Sequence, residues 1–115
     1  MQYMLLIHDD PSAWAGMSED EANAVMGEYF AYSNAIREEG IFVDGSPLQG
    51  REEARTVSVR DGQRLVKDGP FAETKELVAG YYVVDCATLD QAIDAAARIP
   101  SARFGAVEVR PVAQM

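Results

Sequence analysis

The chain has 115 residues, 48% of them apolar and 25% charged, and 19 acidic against 10 basic residues give a net charge of −9. That length makes one domain, residues 1–115, able to bury a core without staples, and an acidic surface repels phosphate, which argues against nucleic-acid binding. Cys86 is the only cysteine, so an internal disulfide is excluded, no apolar run approaches the roughly 20 residues that span a bilayer, and the start Met1-Gln2-Tyr3-Met4 lacks the basic residues of a signal peptide; a soluble cytoplasmic protein is expected.

Gln2 to His8 reads as a strand, with Tyr3, Leu5 and Ile7 pointing one way and Met4, Leu6 and His8 the other. Both faces are apolar apart from His8, which suits a central strand covered on both sides. Asp9, Asp10 and Pro11 end it, and Trp14 lies in the connection that follows. Ser18-Glu19-Asp20-Glu21 matches a capping box, and Ala22, Val25, Met26, Tyr29, Ser33 and Ile36 then recur at helical spacing. Gly40 supplies the stop, so the spacing predicts a helix over roughly residues 18 to 39. Ile41-Phe42-Val43 opens an extended stretch interrupted by Gly45, Pro47 and Gly50. Arg55 to Arg60 alternates as a half-exposed strand, Asp61-Gly62 is a two-residue hairpin turn, and Gln63 to Lys67 returns as the partner.

After Asp68-Gly69-Pro70, the run Val78 to Val84 makes a second continuous apolar strand. Thr88-Leu89-Asp90-Gln91 is another capping box, opening a helix that Pro100 keeps from continuing past Ile99. Ala106 to Val112 closes the chain as a strand with Val107 and Val109 inward. The order is an α+β, ferredoxin-like βαββαβ plan with an added β-hairpin, which places the two uninterrupted apolar strands in the middle of the sheet. Both helices of such a plan pack on one face. The other apolar face then needs cover, so a homodimer joined through the sheet face is expected, or else a sheet that closes partly on itself; either arrangement puts a cavity on the face away from the helices.

Four stretches carry a family resemblance: Met4-Leu5-Leu6-Ile7, the run Asp68-Gly69-Pro70-Phe71-Ala72-Glu73-Thr74-Lys75-Glu76, Gly80-Tyr81-Tyr82, and Glu108-Val109-Arg110-Pro111. Together they resemble the DGPF branch of the YCII-related family over nearly the whole chain. The resemblance implies a dimeric α/β barrel, made of ferredoxin-like protomers joined through their sheets. It also implies a regulatory setting, since many members of the branch are encoded beside extracytoplasmic-function sigma factors. Some wider relatives use a His/Asp pair for acid/base chemistry, one of them to eliminate chloride from a chlorinated aromatic. At the corresponding places this chain has Tyr29 instead of the His, and Arg98 and Ile99 instead of the Asp, so that chemistry does not carry over.

The Asp68 run admits two readings. In one, Asp68, Glu73 and Lys75 project into a pocket, where Lys75 attracts an anion or Glu73 takes a proton. In the other, Asp68-Gly69-Pro70 is turn chemistry, Phe71 plugs the core, and the charges are solvated. His8, the one histidine, is a candidate general base, although Asp9 should point to the opposite face and leave Asp10 as the nearer carboxylate. Catalytic candidates are therefore His8, Asp68, Glu73 and Lys75, and ligand-binding candidates add Tyr29, Phe71 and Tyr81. His8, Asp9, Asp10 and Cys86 lack the number and spacing of a metal site, and the glycines match no phosphate loop, so neither metal nor cofactor is expected. Trp14 lies outside the periodic pattern and suits a pocket mouth. Three functions stay open: a small-molecule-binding module accessory to transcriptional regulation, a cofactor-free lyase or isomerase, and a protein-interaction module without a ligand.

Overall fold

The computed structural model describes residues 1–72 and 77–115. Nine elements of regular structure follow in order: β1 (Gln2–Asp9), α1 (Pro11–Ala15), α2 (Glu19–Glu38), β2 (Phe42–Pro47), β3 (Arg55–Arg60), β4 (Gln63–Asp68), β5 (Leu77–Asp85), α3 (Leu89–Ala97) and β6 (Ala106–Pro111), with short 3-10 turns at Arg51–Glu53 and Pro100–Arg103. Strands β2, β5, β1 and β6 form one antiparallel sheet in that spatial order. The two long apolar strands, β1 and β5, are its centre, and the arrangement is that of an α+β, ferredoxin-like fold.

Alternation along β1 separates the sheet faces. Tyr3, Leu5 and Ile7 are buried, and they join Tyr82 and Val84 of β5, Ile36 of α2 and Ala92, Ala95 and Ala96 of α3 in the single core cluster. Leu5, Ile36 and Val84 are wholly inaccessible, each removing the side chain's full apolar area from water. Aromatic edges lock the layers: Tyr32 meets Tyr82 with centroids 5.2 Å apart, and the Tyr32 hydroxyl donates to the Ala95 carbonyl at 2.8 Å. Cys86 is buried in this core as a small hydrophobe, and burial pushes its thiol pKa up.

The helix signals act at the expected residues. Ser18 caps α2 by accepting from the Glu21 amide at 3.1 Å, while the Glu21 carboxylate accepts from the Ser18 hydroxyl rather than from its backbone. Thr88 caps α3 in the same way, and the Gln91 side chain reaches back to the Ala87 amide at 2.7 Å. Gly40 follows α2 with φ +77°. Helix α1 is an addition to the expected order. Asp10 both ends β1 and caps α1, accepting from the Ser12 amide at 2.9 Å and hydroxyl at 2.8 Å, with Pro11 pre-set for the first turn.

The hairpin β3–β4 stands apart from the main sheet. Its turn has Asp61 at φ 51° and Gly62 at φ 76°, the I′ geometry that matches strand twist. Val57 and Val59, expected on the covered face of a half-exposed strand, are each 60% exposed, because the hairpin projects away from the body and nothing described packs on it. The projection shows in the dimensions. A Cα radius of gyration of 16.0 Å exceeds the roughly 13 Å of a compact chain this long, and the shortest extent is only 17 Å, the thickness of two layers.

Candidate functional site

Two irregularities shape the C-terminal half of β1. The β1–β5 register shifts between Ile7 and His8, leaving Ala79 as an extra residue on β5 whose carbonyl accepts from the Leu48 amide at 2.8 Å. A bulge at this place re-aims the strand ends and pulls the chain after β2 onto β5. On the opposite side, Gly105 sits so close to β1 that a Cβ there would lie 2.2 Å from the His8 carbonyl oxygen. The end of β1 is thus held between β5 and the turn after α3.

A cavity of about 1480 Å³ opens beside it. Its walls are α2, the ends of β1 and β5, the chain from β2 to the 51–53 turn, and Pro70-Phe71-Ala72. It lies on the helix side of the sheet, between the core-facing residues Ile7, Asp9 and Tyr82 and the helix residues Tyr29 and Ser33. The sequence pattern had placed a cavity on the opposite face. The reason for the difference is local: α2 buries Val25, Tyr32 and Ile36, while Met26 and Phe30 on its adjoining flank stand open at 48% and 71% exposure.

At the inner end is Asp9, 7% exposed. Its Oδ2 accepts from the Trp14 indole Nε1 at 3.0 Å, while Oδ1 is shut from water and has no hydrogen-bond partner among the described residues. Trp14 is held in turn by an edge-on contact with Phe104, centroids 5.7 Å apart. Tyr29 shares a short hydrogen bond with the hydroxyl of Ser101, which is fully buried after α3. Burial raises the Tyr29 hydroxyl pKa above its ordinary value, the Ser101 bond pulls it back, and the Asp9 charge adds to the rise. Deeper along α2, Ser33 and the Tyr82 hydroxyl are 2.8 Å apart. Arg37 borders the cavity with its guanidinium 4.5 Å over the Phe42 ring.

The expected site residues are divided by this geometry. Tyr29 and Phe71 line the cavity. Phe71 is 88% exposed, so it does not plug the core; Gly69, at φ +95°, turns the chain so that the ring leaves the body, and the Thr56 hydroxyl fixes that turn by donating to the Gly69 carbonyl at 2.8 Å. His8 borders the cavity through its strand, but its imidazole Nε2 is 3.3 Å from Glu108 Oε1 on β6. Asp9 points the other way, as adjacent strand residues do. Tyr81 likewise borders the cavity through its strand, while its side chain faces away, with its hydroxyl 3.5 Å from Asp44 Oδ2. Asp68 does not line it; its carboxylate, 91% exposed, is 3.2 Å from Arg55 Nε at the open end of the hairpin. Glu73 and Lys75 lie outside the described residues.

Asp9 and Ser101 are the polar groups that the sequence reading did not select. The first was within reach, because the Tyr3, Leu5, Ile7 alternation continues to position 9 and places a carboxylate on the buried face. Ser101 carried no local signal, since only the packing of the turn after α3 against α2 brings it to Tyr29. Among the described residues no group of three or more His, Cys, Asp or Glu side chains is placed to hold a metal ion.

The comparisons span the whole length of the chain. The model of the YCII-related domain matches residues 1–115. An uncharacterised protein of Rhizobium meliloti (strain 1021) is 37% identical over 115 residues, covering 98% of this chain and 93% of its own. The chain belongs to the YCII-related family.

Proposed function

We propose that this protein is a homodimeric small-molecule-binding module. The observation that carries this reading is the cavity beside α2, whose 1480 Å³ exceeds the roughly 300–1,000 Å³ of common ligand sites. Its walls are mainly apolar and aromatic, and a few polar groups sit among them, the division of labour that ligand pockets use. A cofactor-free lyase or isomerase draws less support. Of the four catalytic candidates, Asp68 is paired at the hairpin and the His8 imidazole is turned to Glu108.

The other sheet face is what supports the homodimer. Met4, Leu6, Val83 and Tyr81 alternate with the buried residues of β1 and β5, and no described element packs over them. A second copy laid on this face buries apolar surface that is costly to leave in water. The reading includes a cytoplasmic role accessory to transcriptional regulation, for which the DGPF resemblance is the support.

The test is a thermal-shift screen against a metabolite library. A compound that binds only the native state raises Tm by an amount set by its concentration over Kd. At least one class of compound is expected to raise Tm in the wild type and to lose its effect in Phe30→Asp, which fills the cavity flank with charge. A library without a single stabiliser overturns the reading.

A further inference from the structure

We infer that the cavity takes an organic cation, a protonated amine on an apolar or aromatic body, with Asp9 as its acceptor and Tyr29 beside it. The inference rests on the cavity being a ligand site and adds the chemistry of the ligand. It begins with the Asp9 carboxylate. Of its two oxygens, Oδ2 is engaged by the Trp14 indole and Oδ1 is buried with no donor among the described residues, in a residue that borders the cavity. Buried carboxylate oxygens are ordinarily satisfied, and an orphaned one is costly to fold around. A donor that reaches this oxygen removes that cost, so bound and free states differ most for a ligand that carries N–H groups.

The Tyr29–Ser101 pair points the same way. Two hydroxyls joined by one hydrogen bond hold two protons and use one between them. Ser101 is fully buried and does not line the cavity; with Ser101 as the donor, Tyr29, which does line it, keeps its own proton on the wall that Asp9 shares. A carboxylate ligand there meets the Asp9 charge head on; an ammonium meets it favourably. Aromatic rings complete the preference. Trp14, Tyr29, Phe30 and Phe71 all line the cavity, and their faces attract cations while their area takes an apolar body. The chain's net charge of −9 also draws cations toward it. Of the arginines on the wall, Arg37 lies over the Phe42 ring and Arg51 is engaged in an interaction, and the Glu52 carboxylate joins Asp9 there.

The test compares three probes of one shape, phenethylamine, phenethyl alcohol and phenylacetate, titrated into the wild-type protein and Asp9→Asn by NMR at fixed salt. The amine is expected to bind the wild type about tenfold or more tighter than the alcohol, the size of a charge-assisted hydrogen bond, with phenylacetate weakest. Asp9→Asn is expected to reduce the amine preference to less than about threefold while the alcohol binds as before, since only the charge is lost. Equal binding of all three probes, unchanged by the substitution and with shifts at Tyr29 and Phe30, overturns the cation and leaves the binding module standing. Failure of all three, together with a library that holds no stabiliser, overturns both. Should Asp9→Asn not fold, the wild-type ranking decides: alcohol or phenylacetate at or above the amine ends the proposal.

Discussion

Replacing Gly105 by Ala tests the frame that positions Asp9. A Cβ built at this residue lies 2.2 Å from the His8 carbonyl oxygen, 3.2 Å from the His8 carbonyl carbon and 3.3 Å from the Ser101 carbonyl oxygen. The first distance is roughly 1 Å inside van der Waals contact. All three neighbours are backbone, in β1 and in the turn after α3, so none can swing away as a side-chain tip would. The turn must move off β1, which disturbs the Gly105 amide bond to the Ser101 carbonyl at 2.8 Å and the Ser101–Tyr29 contact. Overpacking of this kind costs about 3 kcal/mol, partly offset by about 0.5 kcal/mol from the stiffer unfolded chain. The expected loss in urea denaturation is therefore about 2–3 kcal/mol at unchanged m, with Tm lower by about 10 °C. Gly27→Ala is the internal control. It lies within α2, and a Cβ there meets nothing within 4 Å, so the same substitution should stabilise by about 0.5–1 kcal/mol. Protein concentration is held constant throughout, because a dimer's Tm depends on it. A Gly105→Ala variant as stable as wild type refutes the close seating of this turn on β1, and with it the account of how Asp9 and Ser101 are placed.

Asp9→Asn should fold and match or exceed wild-type stability by up to about 1 kcal/mol, since an orphaned amide costs less to bury than an orphaned carboxylate; a loss above about 2 kcal/mol in urea would make Asp9 a structural anchor instead. Leu6→Asp, in the middle of the uncovered sheet face, should give a folded monomer in sedimentation where the wild type is a dimer, and an unchanged oligomeric state would sink the sheet-face interface. The Arg98 fork holds the Glu39 carboxyl pKa below its ordinary value, with bonds of 2.8 and 2.9 Å. Because the folded pKa is depressed, the pair's contribution is complete above the unfolded value near 4.5 and is lost as pH falls through the folded one. Glu39→Gln should thus lower stability at pH 7 by less than about 1 kcal/mol, given the exposure of the pair, and match wild type in strongly acidic urea titrations; a constant gap across pH would rule out that linkage.

Local rules made most of the secondary structure legible in the sequence. Two capping boxes begin the two long helices at the residues that cap them, because the signal is a side chain bonding an amide three residues away. Asp61-Gly62 specifies its hairpin for a similar reason: φ above zero is a property of the residues themselves. The uninterrupted apolar runs of β1 and β5 placed both at the sheet centre, since only a strand covered on two sides tolerates them. The direction of His8 and Asp9 to opposite faces also follows from period two alone. Packing between distant segments decided the rest. The hairpin projects instead of joining the sheet, Phe71 turns out of the body, and the cavity opens on the helix side, because each depends on contacts between segments far apart in the chain. Ser101 reaches Tyr29 across 72 positions of sequence, and no pattern within either segment encodes that meeting. Sequence alone determined that Asp9 points away from His8 if the strand continues; only the tertiary structure decided that β1 does run on to Asp9, and that one of its oxygens is bonded by Trp14 and the other by no described residue, since hydrogen-bond satisfaction is a property of the assembled neighbours and not of the residue.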